Sequence, residues 1–259
     1  MSRREFLGLI AASTAGGLLA SCHVRTRPRR PTQIRAVAFD LFTLFDPRSI
    51  ERVAEQVAPG TGPALARAWR ARQFEYGFIR AAAGQYADFR TVTRDALDVA
   101  AHGFTLDATA RERLVSAYEQ LDLWPDALAV LTRLRGAGLR LAPLANYAPT
   151  MLRALLEHGR ITHLFDHQIS TAAARTFKPA PRAYQLGVDV LGLPRDEIAF
   201  AAFGGWDAAG ATWFGYPTFW VNRLGLPTDK LVALEASGPD LASLERWLSS
   251  RAATSRTSR

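Results

Sequence analysis

The stretch Ala36-Val37-Ala38-Phe39-Asp40-Leu41-Phe42-Thr43-Leu44-Phe45-Asp46 decides how this chain is read. Its first four residues form an apolar run, and the run ends abruptly on a carboxylate. In an open α/β sheet, ligands bind outside the carboxyl ends of the strands, which predicts Asp40 on the floor of a crevice. A lone aspartate there can attack carbon as a nucleophile. A magnesium-dependent site would want a further oxygen ligand close by, because Mg2+ takes near-octahedral oxygen coordination. Leu41-Phe42 stand where that carboxylate would be, so the motif argues against a metal.

Outward from this stretch, further short apolar runs read as strands at 139–144, 163–169, 198–203 and 217–222, after a first at 34–39. Amphipathic helical patterns separate most of them, at 126–135, 149–158, 182–191 and 207–214. Strand–helix alternation of this kind predicts an α/β fold, a Rossmann-like parallel sheet core with helices on both faces. Residues 47–122 carry only helical periodicity, as in Ala64-Leu65 with Ala68-Trp69. A loop of that length is implausible inside a compact domain, which predicts a helical cap subdomain inserted after the first strand and closing over Asp40.

The ends of the chain read differently. Ser2-Arg3-Arg4-Glu5-Phe6-Leu7 resembles a twin-arginine export motif, and the apolar stretch after it is too short to cross a bilayer. That stretch ends in Leu19-Ala20-Ser21-Cys22, which resembles a bacterial lipobox, and Cys22 is the sole cysteine. The expectation is a signal peptide over residues 1–21, lipidation at Cys22, and an exported, periplasmic protein anchored to a membrane. One cysteine can form no internal disulfide, so an oxidising compartment poses no pairing problem. Residues 22–33 form a basic, Pro-containing tether, and the Ser/Thr/Arg-rich residues 249–259 read as a disordered tail. The formal net charge is +8, much of it in these terminal segments. Without interleaved aromatics or a recognition motif, it points to an anionic lipid surface and not to nucleic acid.

Residues 34–248 resemble the haloacid dehalogenase superfamily, specifically its L-2-haloacid dehalogenase (type II) branch, with a core at 34–46 and 123–248 and a cap at 47–122. The resemblance implies metal- and cofactor-free hydrolysis of short (S)-2-haloalkanoates to (R)-2-hydroxyacids, in which an aspartate displaces halide and water cleaves the ester. It also implies a homodimer. Asp40 matches the nucleophile and Thr43 the threonine beside it. Trp69-Arg70 followed by Gln73, Phe74, Glu75 and Tyr76 matches the cap helix that carries the halide-binding arginine, here Arg70. Phe177-Lys178-Pro179 with Tyr184 matches the Lys-Pro…Tyr signature, and Asp207 matches the acidic residue that orients the lysine and helps activate water. Asn146, Tyr184, Trp206, Phe74 and Phe89 match substrate-contacting positions.

Several positions depart from the family pattern. The nucleophile loop Asp40-Leu41-Phe42-Thr43 lacks the glycine of Asp-x-Tyr-Gly-Thr. Ala145 replaces a serine whose hydroxyl contacts the substrate carboxylate, and Ala202 and Gly204 replace a serine and an asparagine around the hydrolytic water. One lost hydrogen bond to a charged group costs ~1.5–3 kcal/mol. Three readings stay open: a dehalogenase, a non-catalytic binding protein on the same fold, and a superfamily phosphatase.

Overall fold

The computed structural model describes residues 32–228 and 230–257; the expected signal peptide, Cys22 and residues 23–31 lie outside them. Among the described residues, no helix is long and apolar enough to cross a membrane.

Six parallel strands form one sheet in the order β3-β2-β1-β4-β5-β6. They are β1 (Ala36–Phe39), β2 (Arg140–Ala145), β3 (Ile169–Ser170), β4 (Ile198–Ala202), β5 (Thr218–Val221) and β6 (Ala236–Gly238). In register, Phe39 lies beside Pro143 of β2 and Ala201 of β4. The carboxyl ends of β1, β2 and β4 are therefore neighbours, and the residues just beyond them share one edge. The two central strands β1 and β4 are buried along their whole length, as expected for parallel strands covered on both faces.

After β1 comes a single helical turn, α1 (Leu41–Leu44), and then the cap: α2 (Ser49–Val57), α3 (Gly62–Ala83), α4 (Phe89–Ala100) and α5 (Ala108–Ala117). Asp88 and Asp107 cap α4 and α5 by accepting from the backbone N–H of Thr91 and Ala110. The fully buried Trp69 of α3 donates from Nε1 to the Thr93 carbonyl of α4 at 2.8 Å, fixing the two long cap helices together. The chain returns to the core beside the point where it left. Phe45 and Leu123 form an antiparallel bridge, and Trp124 N–H donates to the Leu44 carbonyl at 2.9 Å. The core helices α6 (Ala127–Gly136), α7 (Pro149–His158), α8 (Pro181–Leu191), α9 (Gly205–Phe214) and α10 (Leu241–Thr257) cover the sheet.

Three expectations need correction. The run 163–169 is mostly not a strand: a 3-10 turn takes Thr162–Leu164, and Ile169–Ser170 alone joins the sheet. Phe165 instead packs edge-on against Phe39, while the Asp166 carboxylate accepts from Leu141 N–H. The second correction is β6, whose Ala-Ser-Gly sequence carries no β-forming side chain. The third concerns residues 249–259, expected to be disordered, where α10 continues to Thr257. Its hydroxyls bond back to helix carbonyls, Ser249 to Glu245 at 2.9 Å and Ser250 to Trp247 at 2.8 Å. Arg251 adds a guanidinium 5.2 Å from the Trp247 ring and an ion pair with Glu235.

The α2–α3 corner depends on Gly62, where an added Cβ would lie 2.2 Å from the Glu55 backbone nitrogen. Backbone has to move to accept it. Gly62→Ala is expected to destabilise the fold by about 1–3 kcal/mol, the range for overpacking, measured by urea denaturation.

Candidate active site

Asp40 ends β1 and N-caps α1, so one residue carries both the strand-to-helix turn and a carboxylate. Oδ2 accepts from Phe42 N–H at 3.1 Å, and Oδ1 accepts from Lys178 Nζ at 2.7 Å. The side chain is 15% exposed. Lys178, 1% exposed, also donates to Asp207 Oδ2 at 2.8 Å, and Tyr184 Oη donates to Asp207 Oδ1 at 2.7 Å. The ammonium additionally faces the Phe200 ring at 5.1 Å. Three segments thus converge on one buried cluster: the turn after β1, the loop before α8 and the first turn of α9.

The electrostatics of this cluster derive from burial. Complete burial pushes the Asp207 carboxyl up to about 6, against the pull of the Lys178 charge, and the nearby Asp40 charge pushes the same way. Burial also pulls Lys178 down, but the charges of Asp207 and Asp40 outweigh it, and the ammonium ends above the ordinary lysine value. Burial, then the Asp207 charge, drives the Tyr184 phenol well above its usual range, so it remains a donor. The bond from Lys178 to Asp40 is charge-assisted and fixes one carboxylate oxygen, leaving the group oriented at the cavity wall.

Asn146 lies just past β2. Its Oδ1 accepts from Lys178 N–H at 2.8 Å and from Thr171 Oγ1 at 3.2 Å, tying the lysine loop to the strand end. Arg70 comes from α3 of the cap. Its guanidinium lies 4.8 Å from the Phe42 ring and 4.9 Å from the Phe74 ring, and its buried Nη1 has no hydrogen-bond partner. Phe74 and Phe78 meet Trp206 edge-on at 5.5 and 5.3 Å, and Phe89 stacks on Tyr147 at 4.7 Å. A cavity of about 50 Å3 lies among these groups, walled by Asp40, Lys178, Arg70 and Asn146 with a largely aromatic remainder. At ~10–15 Å3 per water-sized sphere, that admits only a few heavy atoms.

Asp40, Lys178, Arg70, Asn146, Trp206, Phe74 and Phe89 all line this cavity. Asp207, Tyr184 and Thr43 do not. Asp207 sits behind Lys178 with no exposed surface. Tyr184, expected to contact substrate, is fully buried and spends its hydroxyl on Asp207. Thr43, expected beside the carboxylate, donates to the Asp40 main-chain carbonyl at 2.7 Å, because the shortened loop winds into α1 and aims the hydroxyl along the helix. Both hydroxyls bond to groups of the cluster, and neither residue lines the cavity. Tyr147, Phe203, Gln73 and Phe177 also line the cavity, although the sequence does not mark them as site residues. For Tyr147 and Phe203 a signal existed, since each stands just past the carboxyl end of a strand.

Residues 34–215 match the profile of a family described as haloacid dehalogenase-like hydrolase. Over 219 residues the chain is 36% identical to (S)-2-haloacid dehalogenase H-109 of Pseudomonas putida, covering 83% of this chain and 98% of that one. A solved L-2-haloacid dehalogenase superposes with a TM-score of 0.81 at 42% identity, over 84% of this chain and all of that one. The Xanthobacter autotrophicus L-2-haloacid dehalogenase, solved with chloropropionic acid covalently bound, gives 0.78 at 34% identity over 83% and 98% of the two chains.

Removing the shared cation tests the cluster. Lys178→Met leaves two neighbouring carboxylates without it, and breaking a buried ion pair costs about 3–5 kcal/mol. Asp207, already raised, takes up a proton more readily in that variant. The destabilisation is therefore expected to be largest at pH 8 and clearly smaller at pH 5, read from urea denaturation of both proteins at each pH.

Proposed function

The chain belongs to the haloacid dehalogenase-like hydrolases, and from that premise we propose that it hydrolyses the carbon–halogen bond of short (S)-2-haloacids to (R)-2-hydroxyacids, through an ester on Asp40 and without a metal. The observation that carries this reading is one small, aromatic-walled cavity with a lysine-held carboxylate and an unpartnered guanidinium both on its wall. An Asp40 oxygen attacks the substituted carbon, a C–O bond forms, and the C–X electron pair leaves on the halide. Arg70 stabilises charge that appears only as the bond breaks, where binding energy accelerates the step. The apolar wall strengthens that attraction by excluding water.

Water then attacks Cγ of the ester. The hydroxyacid leaves with the oxygen that attacked, and Asp40 regains a carboxylate carrying one oxygen from water. Lys178 passes a proton to the Asp207 carboxylate, raised to about 6, as it takes one from the attacking water, and the proton returns to the departing hydroxyacid oxygen. Both Asp207 oxygens are already engaged, so it acts through the lysine. A base near the working pH suits proton transfer. The donor set supports metal-free chemistry: Lys178 Nζ bridges both carboxylates, and Phe42 takes the place of a further ligand. Among the described residues, no group of three or more His, Cys, Asp or Glu side chains is assembled. A second reading, anion binding without turnover, is favoured by Ala145, Ala202 and Gly204, which offer no polar side chain around Asp40.

Racemic 2-chloropropionate is the discriminating substrate. Chloride release in EDTA is expected to consume the S form alone, to vanish in Asp40→Asn, and to place heavy oxygen from labelled water in Asp40 during single turnover. The acid limb of kcat/KM is expected near pH 6, activity falling as Asp207 protonates. Folded protein that releases no chloride would leave the binding reading, and Mg2+-dependent cleavage of p-nitrophenyl phosphate would make it a phosphatase.

The leader motif and sole cysteine support a place of action outside the cytoplasm, lipid-anchored at Cys22. Palmitate labelling in a bacterial host is expected for the full chain and absent for Cys22→Ala; equal labelling of both would remove the anchor.

A further inference from the structure

Tyr147 comes directly after Asn146, beyond the carboxyl end of β2, and its ring is held from both subdomains. It stacks on Phe89 of the cap at 4.7 Å and 19°, and meets Tyr118 and Phe42 edge-on at 6.2 and 6.3 Å. Its own carbonyl accepts from Ser170 Oγ at 2.6 Å, which anchors the main chain beneath the ring. The residue is 2% exposed, yet its Oη has no hydrogen-bond partner. A buried hydroxyl left unpaired is costly, and each such group in a folded protein calls for an explanation.

The explanation lies in the company it keeps. Among the described residues with an unpartnered buried side-chain polar atom, Arg70 and Tyr147 alone line the cavity that holds Asp40. Both are also neighbours of the Phe42 ring. Arg70 Nη1 can only donate, and a phenol in a buried site beside a guanidinium has every reason to donate as well. Two idle donors, carried by residues that wall one small and largely aromatic cavity, make a receptor for an anion.

We propose that Tyr147 Oη is a further catalytic residue, which together with Arg70 Nη1 cradles the departing halide. The assignment rests on the dehalogenation reading for its ligand. The hydroxyl stays protonated because burial first, and then the Tyr118 and Asp40 charges, raise the phenol well above its ordinary range, with Arg70 only partly opposing them. It supplies a donor on the same segment where Ala145 carries no hydroxyl. Bond making and breaking are unchanged: the C–X electron pair leaves on the halide, and Tyr147 shares its proton in a hydrogen bond without transferring it.

Tyr147→Phe tests this, because it keeps the ring and its stacking. A hydrogen bond to a charged group corresponds to a loss of roughly 10- to 100-fold. On 2-chloropropionate, kcat is expected to fall by about that factor with KM within about threefold, and the loss is expected to shrink for the iodo acid, whose leaving group needs less help. The variant should unfold at or above the wild-type temperature, since it sheds an unpaired hydroxyl; a lower Tm with unchanged kcat would mark a structural role and overturn the proposal. A rise in KM with kcat preserved would assign the hydroxyl to the carboxylate and overturn it too. Broadening of the chloride NMR resonance by the resting protein gives a readout free of turnover. Chloride binding weakened about tenfold in the variant supports the cradle even if no haloacid is hydrolysed, in which case the dehalogenation reading falls alone. Equal binding by both proteins overturns the cradle whatever the enzyme turns over.

Discussion

A single buried ammonium organises this protein. Taking Lys178 out of water costs several kcal/mol, and only well-placed partners offset that cost. Here the partners come from opposite ends of the chain: Asp40 after the first strand, Asp207 at the start of α9, and the Phe200 ring of β4. Asn146 holds the lysine's main chain, and Tyr184 completes the second carboxylate. Two carboxylates around one ammonium leave an excess negative charge in the resting site. Converting Asp40 to a neutral ester removes that excess, leaving a balanced Lys178–Asp207 pair. The cluster is therefore electrostatically biased toward the covalent state it is proposed to form.

The cap contributes the opposite charge. Arg70 reaches the cavity from α3, resting on two aromatic faces in place of a carboxylate partner. A guanidinium is weakly hydrated and stacks well on rings, which makes such a placement tolerable. Anion attraction is then not spent on an internal salt bridge. The same hydrophobic cluster runs from cap helices to the β1 side of the sheet, so carboxylate and cation are held by one continuous packing arrangement.

The fold is legible in the sequence where burial on two faces forces apolar runs. β1, β2, β4 and β5 announce themselves in this way, and helices such as Pro149–His158 show their 3.6-residue period. Edge elements escape because little has to be buried there: β6 is Ala-Ser-Gly, and the apolar residues of 163–169 plug the core without joining the ladder. The composition of 249–259 suggests disorder, whereas hydroxyl-to-carbonyl bonds and the cover of Trp247 by Arg251 are tertiary facts that composition does not carry. In the site, Asp40 is readable from its position at a strand end, and Arg70, Lys178 and Asp207 from the motifs that carry the family resemblance. The contacts of Thr43 and Tyr184 are not, because a hydroxyl chooses its partner by direction. For Thr43 that direction depends on a loop one residue shorter than the family pattern, and for Tyr184 on the first turn of α9 lying close enough to present Asp207.

That shortened loop has a consequence for how the site can change over time. Phe42 is the platform under Arg70, the neighbour of Tyr147 and Phe203, an N–H donor to Asp40 and, through its carbonyl, the acceptor for Trp124 Nε1. Inserting one residue between Asp40 and Phe42 would rotate that ring by ~100° about the helix axis, which would break several of these contacts at once. The loop and the arginine helix above it are consequently coupled through one ring. A turn lengthened ahead of this ring would have to bring a reshaped cap helix with it.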